Sequence, residues 1–455
     1  MRKSILCLGV TAILAACNTS VKPDYTIVSG KIANVPNTTT KAFLIKNDFR
    51  DTLTLDNGVF KDTINIPEDG FYTFNVNREI TTIYLTKGDS LNMVTDYKDF
   101  DDALTYTGSL AENNNYLASK TIFEQTLQKN TKAVYSKNPA EFKEAAKANT
   151  QTLDSLVSTS KTSDAFKAIE KKNNYYTYAG MMANYPMYHE HFAQVDSVDL
   201  PKDFYADVDS IKYDNEKLFL AYPAYKSLVS SKISKQFNEN YEKTHSISGA
   251  FLATEKEIPN GKIKEDFLMN YSSLALSPDE NMKKVYDIYM ANLTSEENKD
   301  KIKKQYAILE SIVPGKPSPT FNYENNAGGT TSLTDLKGKY VYVDVWATWC
   351  GPCKGEIPYL KKVEEEYHGK NIQFVSISID EQKDHETWKN MIKEKELGGI
   401  QLMADKNWES DFAKEYNIRG IPRFILIDPQ GNIVNADAPR PSNPELKELF
   451  DSLKI

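Results

Sequence analysis

The most specific chemistry in this sequence sits in two cysteines three positions apart, Cys350-Gly351-Pro352-Cys353. They follow an apolar run, Tyr340–Trp346 (YVYVDVW), and open a stretch over 352–367 that reads as a helix. That setting suits thiol-disulfide exchange. The nucleophile is a thiolate, and the unpaired N–H groups and dipole at a helix start stabilise it. Pro352 fits the first helical turn at little cost. Two intervening residues leave the first sulfur at the exposed helix start and bring the second within bonding reach. Half a zinc site is the competing reading, but no further soft ligands are spaced to complete it. The chain has four cysteines, the others being Cys7 and Cys17. A protein stapled for stability carries several spaced bridges, whereas Cys350 and Cys353 close a loop too short to staple a core. This pair is there for chemistry.

The elements that must position it follow from patterning. Residues 314–319 (PGKPSP) read as a stiff, helix-free linker. Beyond it, strands at 340–346, 372–379, 400–403, 423–427 and 432–434 alternate with helices over 352–367, 385–396 and 408–416. A last helix is signalled by Ser442, Pro444 and Glu445 at capping-box spacing. This is an α/β layer pattern. Residues 111–313 are helical in period: Met282, Val285, Tyr286, Tyr289 and Leu293 share one face, and Ser295 reads as an N-cap. Tyrosines cluster at 175, 176, 178, 185, 188, 205, 213, 222 and 225, as expected for the core and half-buried surface of a helical bundle. His189-Glu190-His191 does not read as a metal site, because i and i+2 on a helix point apart. From 22 to 108, seven short β runs recur about every ten residues between turns such as Asp56-Asn57-Gly58, which predicts a small antiparallel sandwich or barrel.

The first residues, MRKSILCLGVTAILAAC, have a positive start, a short apolar run and small residues before Cys17. The run is too short to span a bilayer and has the layout of a cleaved signal. Leu14-Ala15-Ala16-Cys17 resembles the bacterial lipobox, in which the cysteine is acylated and becomes the new first residue. Acyl chains on Cys17 would hold the protein on a membrane face. The expected organisation is therefore multidomain: a signal peptide over 1–16, a small all-β domain over 17–110, an α-helical middle domain over 111–313 and an α/β domain over 314–455.

Trp349-Cys350-Gly351-Pro352-Cys353-Lys354 closely resembles the active-site signature of the thioredoxin superfamily, and specifically its membrane-tethered, extracytoplasmic branch, the TlpA/ResA-like thiol-disulfide oxidoreductases. The resemblance spans roughly 315–455. It implies a thioredoxin-like fold and places Asp344 where the family keeps a buried carboxylate behind the second cysteine. Glu356 matches the acidic residue of the extracytoplasmic branch, and Gly420-Ile421-Pro422 matches the cis-proline loop. In these roles Cys350 attacks, Cys353 resolves the mixed disulfide, and Asp344 or Glu356 takes its proton. Trp349, Ile421 and Pro422 would dock the substrate, with the Ile421 amide and carbonyl offered to its backbone. One departure is Ser376, which stands where thioredoxin pairs a lysine with the buried carboxylate, so the proton relay leans toward Glu356. Gly-Pro between the sulfurs resembles the reducing members of the family. The resemblance implies no cofactor beyond the Cys350–Cys353 disulfide. Its implied partners are disulfide-containing extracytoplasmic proteins, cytochrome c precursors among them, and a membrane reductase that donates electrons. The location implied is the cell envelope, lipid-anchored and facing the periplasm or the cell surface. Residues 22–108, through Gly30, Asn57-Gly58 and Gly88-Asp89-Ser90, also resemble the β domain of unknown function found amino-terminal to thioredoxin-like lipoproteins of Bacteroidetes.

Composition narrows the rest. Lys plus Arg less Asp plus Glu is 55 − 63 = −8, which leaves no basic excess for nucleic acid. A peroxidase of the peroxiredoxin branch carries a Pro-x-x-x-Thr-x-x-Cys arrangement with a lone peroxidatic cysteine, absent here. A third reading, in a different class, is a binding lipoprotein that captures a glycan or protein and carries redox chemistry as an accessory.

Overall fold

The computed structural model describes residues 22–455; the expected signal segment, with Cys7 and Cys17, lies outside them. Secondary structure changes type where the sequence patterning does. The β elements end at Thr105–Thr107, helices run from Ala111–Lys129 to Glu296–Glu310, and strands resume at Asn322–Asn325. By compactness the described chain divides differently, into a unit that ends at Lys232 and one that begins at Ile233.

In the first unit, two four-stranded sheets enclose a core of Val28, Leu44, Leu53, Phe60, Phe74 and Leu91. Each of the seven expected β runs falls on a strand. An eighth, Thr105–Thr107, is too short to show as alternation. The expectation of a purely antiparallel layer is corrected at one place: Thr26–Ala33 pairs parallel with Ser90–Asp96. Gly30 sits at that pairing because a Cβ there would lie 2.4 Å from the Met93 carbonyl oxygen and 2.7 Å from the Phe60 ring. The helices that follow do not close on themselves. Tyr116, Leu117, Val157 and Phe166 pack on Phe71 and Tyr84 of the sheet, which is why this part of the helical region belongs to the same compact unit. Tyr176, Tyr178, Tyr185 and Tyr225 are buried, and the His189 ring is hydrogen-bonded to the Tyr135 carbonyl at 2.8 Å.

In the second unit, Ser295 caps its helix by accepting from Asn298 N–H. Met282, Val285, Tyr289 and Leu293 are buried as their spacing predicts, while Tyr286 at the edge of that face is half-buried. The C-terminal sheet has seven strands in the order Thr330–Ser332, Asn322–Asn325, Ile400–Met403, Ile372–Ser378, Tyr340–Trp346, Arg423–Ile427, Ile433–Asn435. The central strand Tyr340–Trp346 runs parallel to Ile372–Ser378 and antiparallel to Arg423–Ile427. It is apolar throughout, apart from Asp344, because both faces are covered. Alternation puts Tyr342, Asp344 and Trp346 on one face. On that face Tyr342 packs with Leu360 and Val363 of the Cys helix (Gly351–Glu366) and with Leu446 and Phe450 of the last helix, Glu445–Ser452.

Two expectations are corrected here. The stretch 314–319 is not a free linker: Gly315 N–H donates to the Ile433 carbonyl, Ser318 N–H donates to that of Gly431, and Pro317 bridges Asn432. Its prolines suit a sheet edge, where a missing N–H costs nothing. Nor does Ser442 cap the last helix, which begins after Pro444 with no side-chain cap. Ser442 is engaged by Glu356 instead. The hairpin Asn322–Asn325/Thr330–Ser332 was not anticipated, although Gly328 and Gly329 at its turn both take positive φ, as the tight reversal requires.

Candidate active site

The central strand delivers the chain through Ala347-Thr348-Trp349 to the start of the Cys helix. Cys350 and Cys353 are joined as a disulfide with Cα atoms 5.3 Å apart. Exposure does not distinguish them, since each is 4% exposed; the expectation of an exposed first sulfur is corrected to a covered one. Local geometry does distinguish them. Cys350 is the N-cap, and its sulfur accepts the Cys353 backbone N–H at 3.1 Å. In the reduced protein that donor and the helix start favour a thiolate on Cys350. Cys353 lies one turn in, with no such donor, against a cavity under the sheet.

That cavity, of about 10 Å³, is the room one water molecule takes. Cys353, Asp344, Ser376, Glu364 and Gln401 are among its walls. Asp344 is half-buried, and its Oδ1 is sealed from solvent with no hydrogen-bond partner. Burial first, and then the charges of Glu364 and Glu356, push its carboxyl up to about 8. Its register neighbour on the parallel strand is Ser376, so a small hydroxyl stands at the position flagged for a missing lysine.

Glu356 accepts from Ser442 N–H at 3.0 Å and from Ser442 Oγ at 2.8 Å. It ties the Cys helix to the loop before the last helix and is not among the cavity walls. The structure therefore brings Asp344, and not Glu356, to Cys353, while the Glu356 charge still acts on Asp344. Ile421-Pro422 is a cis peptide. Arg423, the next residue, is in register with Val345, so this loop emerges at the end of the sheet from which the Cys350 loop leaves. Trp349 is 56% exposed and its ring lies 6.4 Å from that of Trp408, so an aromatic pair flanks the cysteines.

Two residues of the site were not anticipated. Asp380 is buried after strand Ile372–Ser378 and accepts from Thr348 N–H, Thr348 Oγ and Ser378 Oγ at 2.7–2.9 Å. Lys354 Nζ donates to the Thr348 carbonyl at 3.1 Å. Together they fix the segment that presents Trp349 and Cys350. The second is Glu364, pushed up to about 7 by burial, against the opposing charge of Lys361. Neither carries a local signature: an Asp at a strand end and a Glu among helical Glu and Lys look like surface residues.

With the site described, comparison with known proteins decides the family. Residues 313–453 match the Redoxin family. Thiol-disulfide oxidoreductase ResA of Bacillus subtilis is 30% identical over 131 residues, which cover 28% of this chain and 69% of that protein. ResA of Bacillus thuringiensis is 30% identical over 32% of this chain and 80% of that protein. This chain belongs to the ResA-like thiol-disulfide oxidoreductases. The thioredoxin-like protein YneN of Bacillus subtilis is 27% identical over 33% of the chain and 83% of its own length. Among solved structures, the thioredoxin domain of a thiol-disulfide oxidoreductase from Bacteroides vulgatus is 32% identical, covering 31% of this chain and 99% of that one, with a TM-score of 0.29. A thiol-disulfide oxidoreductase from Bacteroides fragilis is also 32% identical, covering 30% and 99%, with a TM-score of 0.27. The enzyme is multidomain, with all-β, helical and thioredoxin-like α/β parts in that order, and its chemistry is thiol-disulfide exchange.

Proposed function

We propose that this oxidoreductase is a reductase for exported proteins, held on a membrane face of the cell envelope by acylated Cys17 and recharged by a membrane electron donor. Direction is the part the geometry supports best. A dithiol is a strong oxidant when its reduced, thiolate form is stabilised, as in DsbA (about −120 mV) against thioredoxin (about −270 mV). Here Cys353 is backed by a buried carboxyl whose cross-strand neighbour is a serine. The poorly solvated space around that carboxyl disfavours a thiolate on Cys353, and the carboxyl adds a like charge whenever it is ionised; both destabilise the reduced pair and make it a better reductant. That is the observation that carries the reading. Among the described residues no helix is long and apolar enough to cross a membrane; the anchor rests on Leu14-Ala15-Ala16-Cys17.

Turnover begins when the Cys350 thiolate attacks a substrate disulfide docked along Ile421-Pro422 beside Trp349. One substrate sulfur leaves as a thiol, and the other stays bonded to Cys350. Cys353 gives its proton to Asp344 and attacks Cys350 Sγ. The Cys350–Cys353 bond forms, the mixed disulfide breaks, and the second substrate sulfur leaves and is protonated by solvent. Two electrons pass from the dithiol to the substrate.

The test is a full-length Cys353→Ser protein expressed in its own envelope. It keeps the attacking sulfur and loses the resolving one, so cysteine-containing extracytoplasmic proteins should accumulate on Cys350 as adducts that collapse on reduction. The adducts should fractionate with membranes and lose that association in a Cys17→Ala background. Cys350→Ser/Cys353→Ser must abolish them. No adducts from Cys353→Ser, with glycan or protein capture retained by the double-serine chain, would replace this reading with that of a binding lipoprotein.

A further inference from the structure

We propose that Glu364 is a positioning residue for the resolving step: with Asp344 it forms a carboxyl pair that shares one proton across the cavity behind Cys353 and passes it to solvent. The proposal rests on the disulfide-exchange reading above and adds a residue to it.

Three observations place Glu364 in this role. First, it lines the same water-sized cavity as Cys353 and Asp344. The polar atoms around that space are under-satisfied: Asp344 Oδ1, Gln401 Oε1 and Trp346 Nε1 are buried without partners. Second, Glu364 reaches outward from it. Its carboxylate lies beneath the exposed Gly398-Gly399 turn, so close that a Cβ on Gly398 would sit 2.4 Å from Oε2 and one on Gly399 2.9 Å from Oε1. Those glycines leave the carboxyl room between the cavity and solvent. Third, the cation among the cavity walls, Lys361, has its ammonium engaged away from the two carboxyls. Lys361, one turn before Glu364, donates to the Lys395 carbonyl at 3.0 Å and lies 3.9 Å from Glu396.

Charge explains why two carboxyls here act as a pair. The groups facing them are Cys353, Glu356 and Lys361 from the Cys helix, Tyr342 from the central strand, Ser376 from the parallel strand and Gln401 beyond the glycine turn. Ionising both carboxyls in one cavity sets like charges against each other in a poorly solvated space, so one proton is retained. Burial and the Glu364 charge hold Asp344 up, and burial holds Glu364 up. When the retained proton is on Glu364, Asp344 is ionised and can take the Cys353 proton. The Glu364 proton then leaves beneath Gly398-Gly399, the proton on Asp344 passes across the cavity to Glu364, and the pair is reset.

Stopped-flow mixing of the reduced, full-length protein with 5,5′-dithiobis(2-nitrobenzoate) separates the steps. The first thionitrobenzoate released reports attack by Cys350, and the second reports resolution by Cys353. In Glu364→Gln the first release should be unchanged. The second should slow by about tenfold, and its pH midpoint should fall by about one unit because Asp344 loses a neighbouring charge. Glu364→Asp should recover most of the rate. Gly398→Ala, which keeps the carboxyl but displaces it, should move the same midpoint and tests the idea independently should Glu364→Gln fold poorly. A second-release pH profile that overlays the wild type in both Glu364→Gln and Gly398→Ala overturns the proposal. Absence of any second release in the wild type overturns the disulfide-exchange reading itself, a separable failure.

Discussion

Replacing Asp344 with asparagine should make the oxidised protein more stable, by an amount that grows as pH rises from about 4 to about 8. The carboxyl is raised from 3.8 to about 8 by burial and by the charges of Glu364 and Glu356. Between those pH values the native state retains a proton that the unfolded chain has released. Native stability therefore falls as pH rises through that window and is lowest above it. At about 1.4 kcal/mol per tenfold change in proton affinity, the full span costs on the order of 5 kcal/mol. Asparagine has nearly the same shape and never ionises, so Asp344→Asn should recover about 3–5 kcal/mol at pH 9 and almost nothing at pH 4. Denaturant unfolding followed by tryptophan fluorescence is the assay. Trp346, Trp349, Trp388 and Trp408 are the four tryptophans of the chain, and all lie in the redox region, so the signal reports that region. A stabilisation equal at both pH values would show that packing, not charge, was relieved. A loss of stability at pH 9 would mean that the carboxylate is solvated or paired, and the reductant argument would fall with it. The same variant should slow the release of thionitrobenzoate by Cys353 while sparing that by Cys350.

Two further substitutions separate the remaining acids. Glu356→Gln keeps the hydrogen-bonding shape toward Ser442 but removes a charge felt by Asp344. The resolution midpoint should drift to lower pH by about half a unit, the equivalent of about 0.7 kcal/mol, with attack by Cys350 intact; a larger effect than that of Asp344→Asn would make Glu356 the direct proton acceptor. Asp380→Asn sets an amide against three donors in a buried site and should cost about 2–4 kcal/mol. It should slow attack by Cys350 through a loosened Thr348-Trp349 segment, leaving the pH midpoint of resolution in place; an unchanged attack rate would reduce Asp380 to a folding role.

Much of this protein is legible in one dimension because its cues are local. A C-x-x-C between an apolar strand and a helix start states its chemistry, since the thiolate needs the helix end that follows it. Alternation at 22–108 and helical spacing at 282–293 mark faces that had to be buried, and they are. Glu356 shows the limit of that reading. Its place in the motif predicts a proton acceptor, yet the turn of the helix sends it to Ser442, 86 positions away in sequence. Ser442 is in turn withdrawn from the cap its spacing predicts. Pro317 looks like linker until Asn432, more than a hundred residues on, bridges it. Asp380, Glu364 and the two glycines above it have no local pattern at all. The sequence by itself marked the sulfurs of Cys350 and Cys353 for thiol-disulfide chemistry, because the strand and helix start that set their environment are their own chain neighbours. Only the tertiary structure decided which carboxyls lie behind Cys353, because the cavity and the desolvation that raises their proton affinity exist only once strand, helix and glycine turn are brought together.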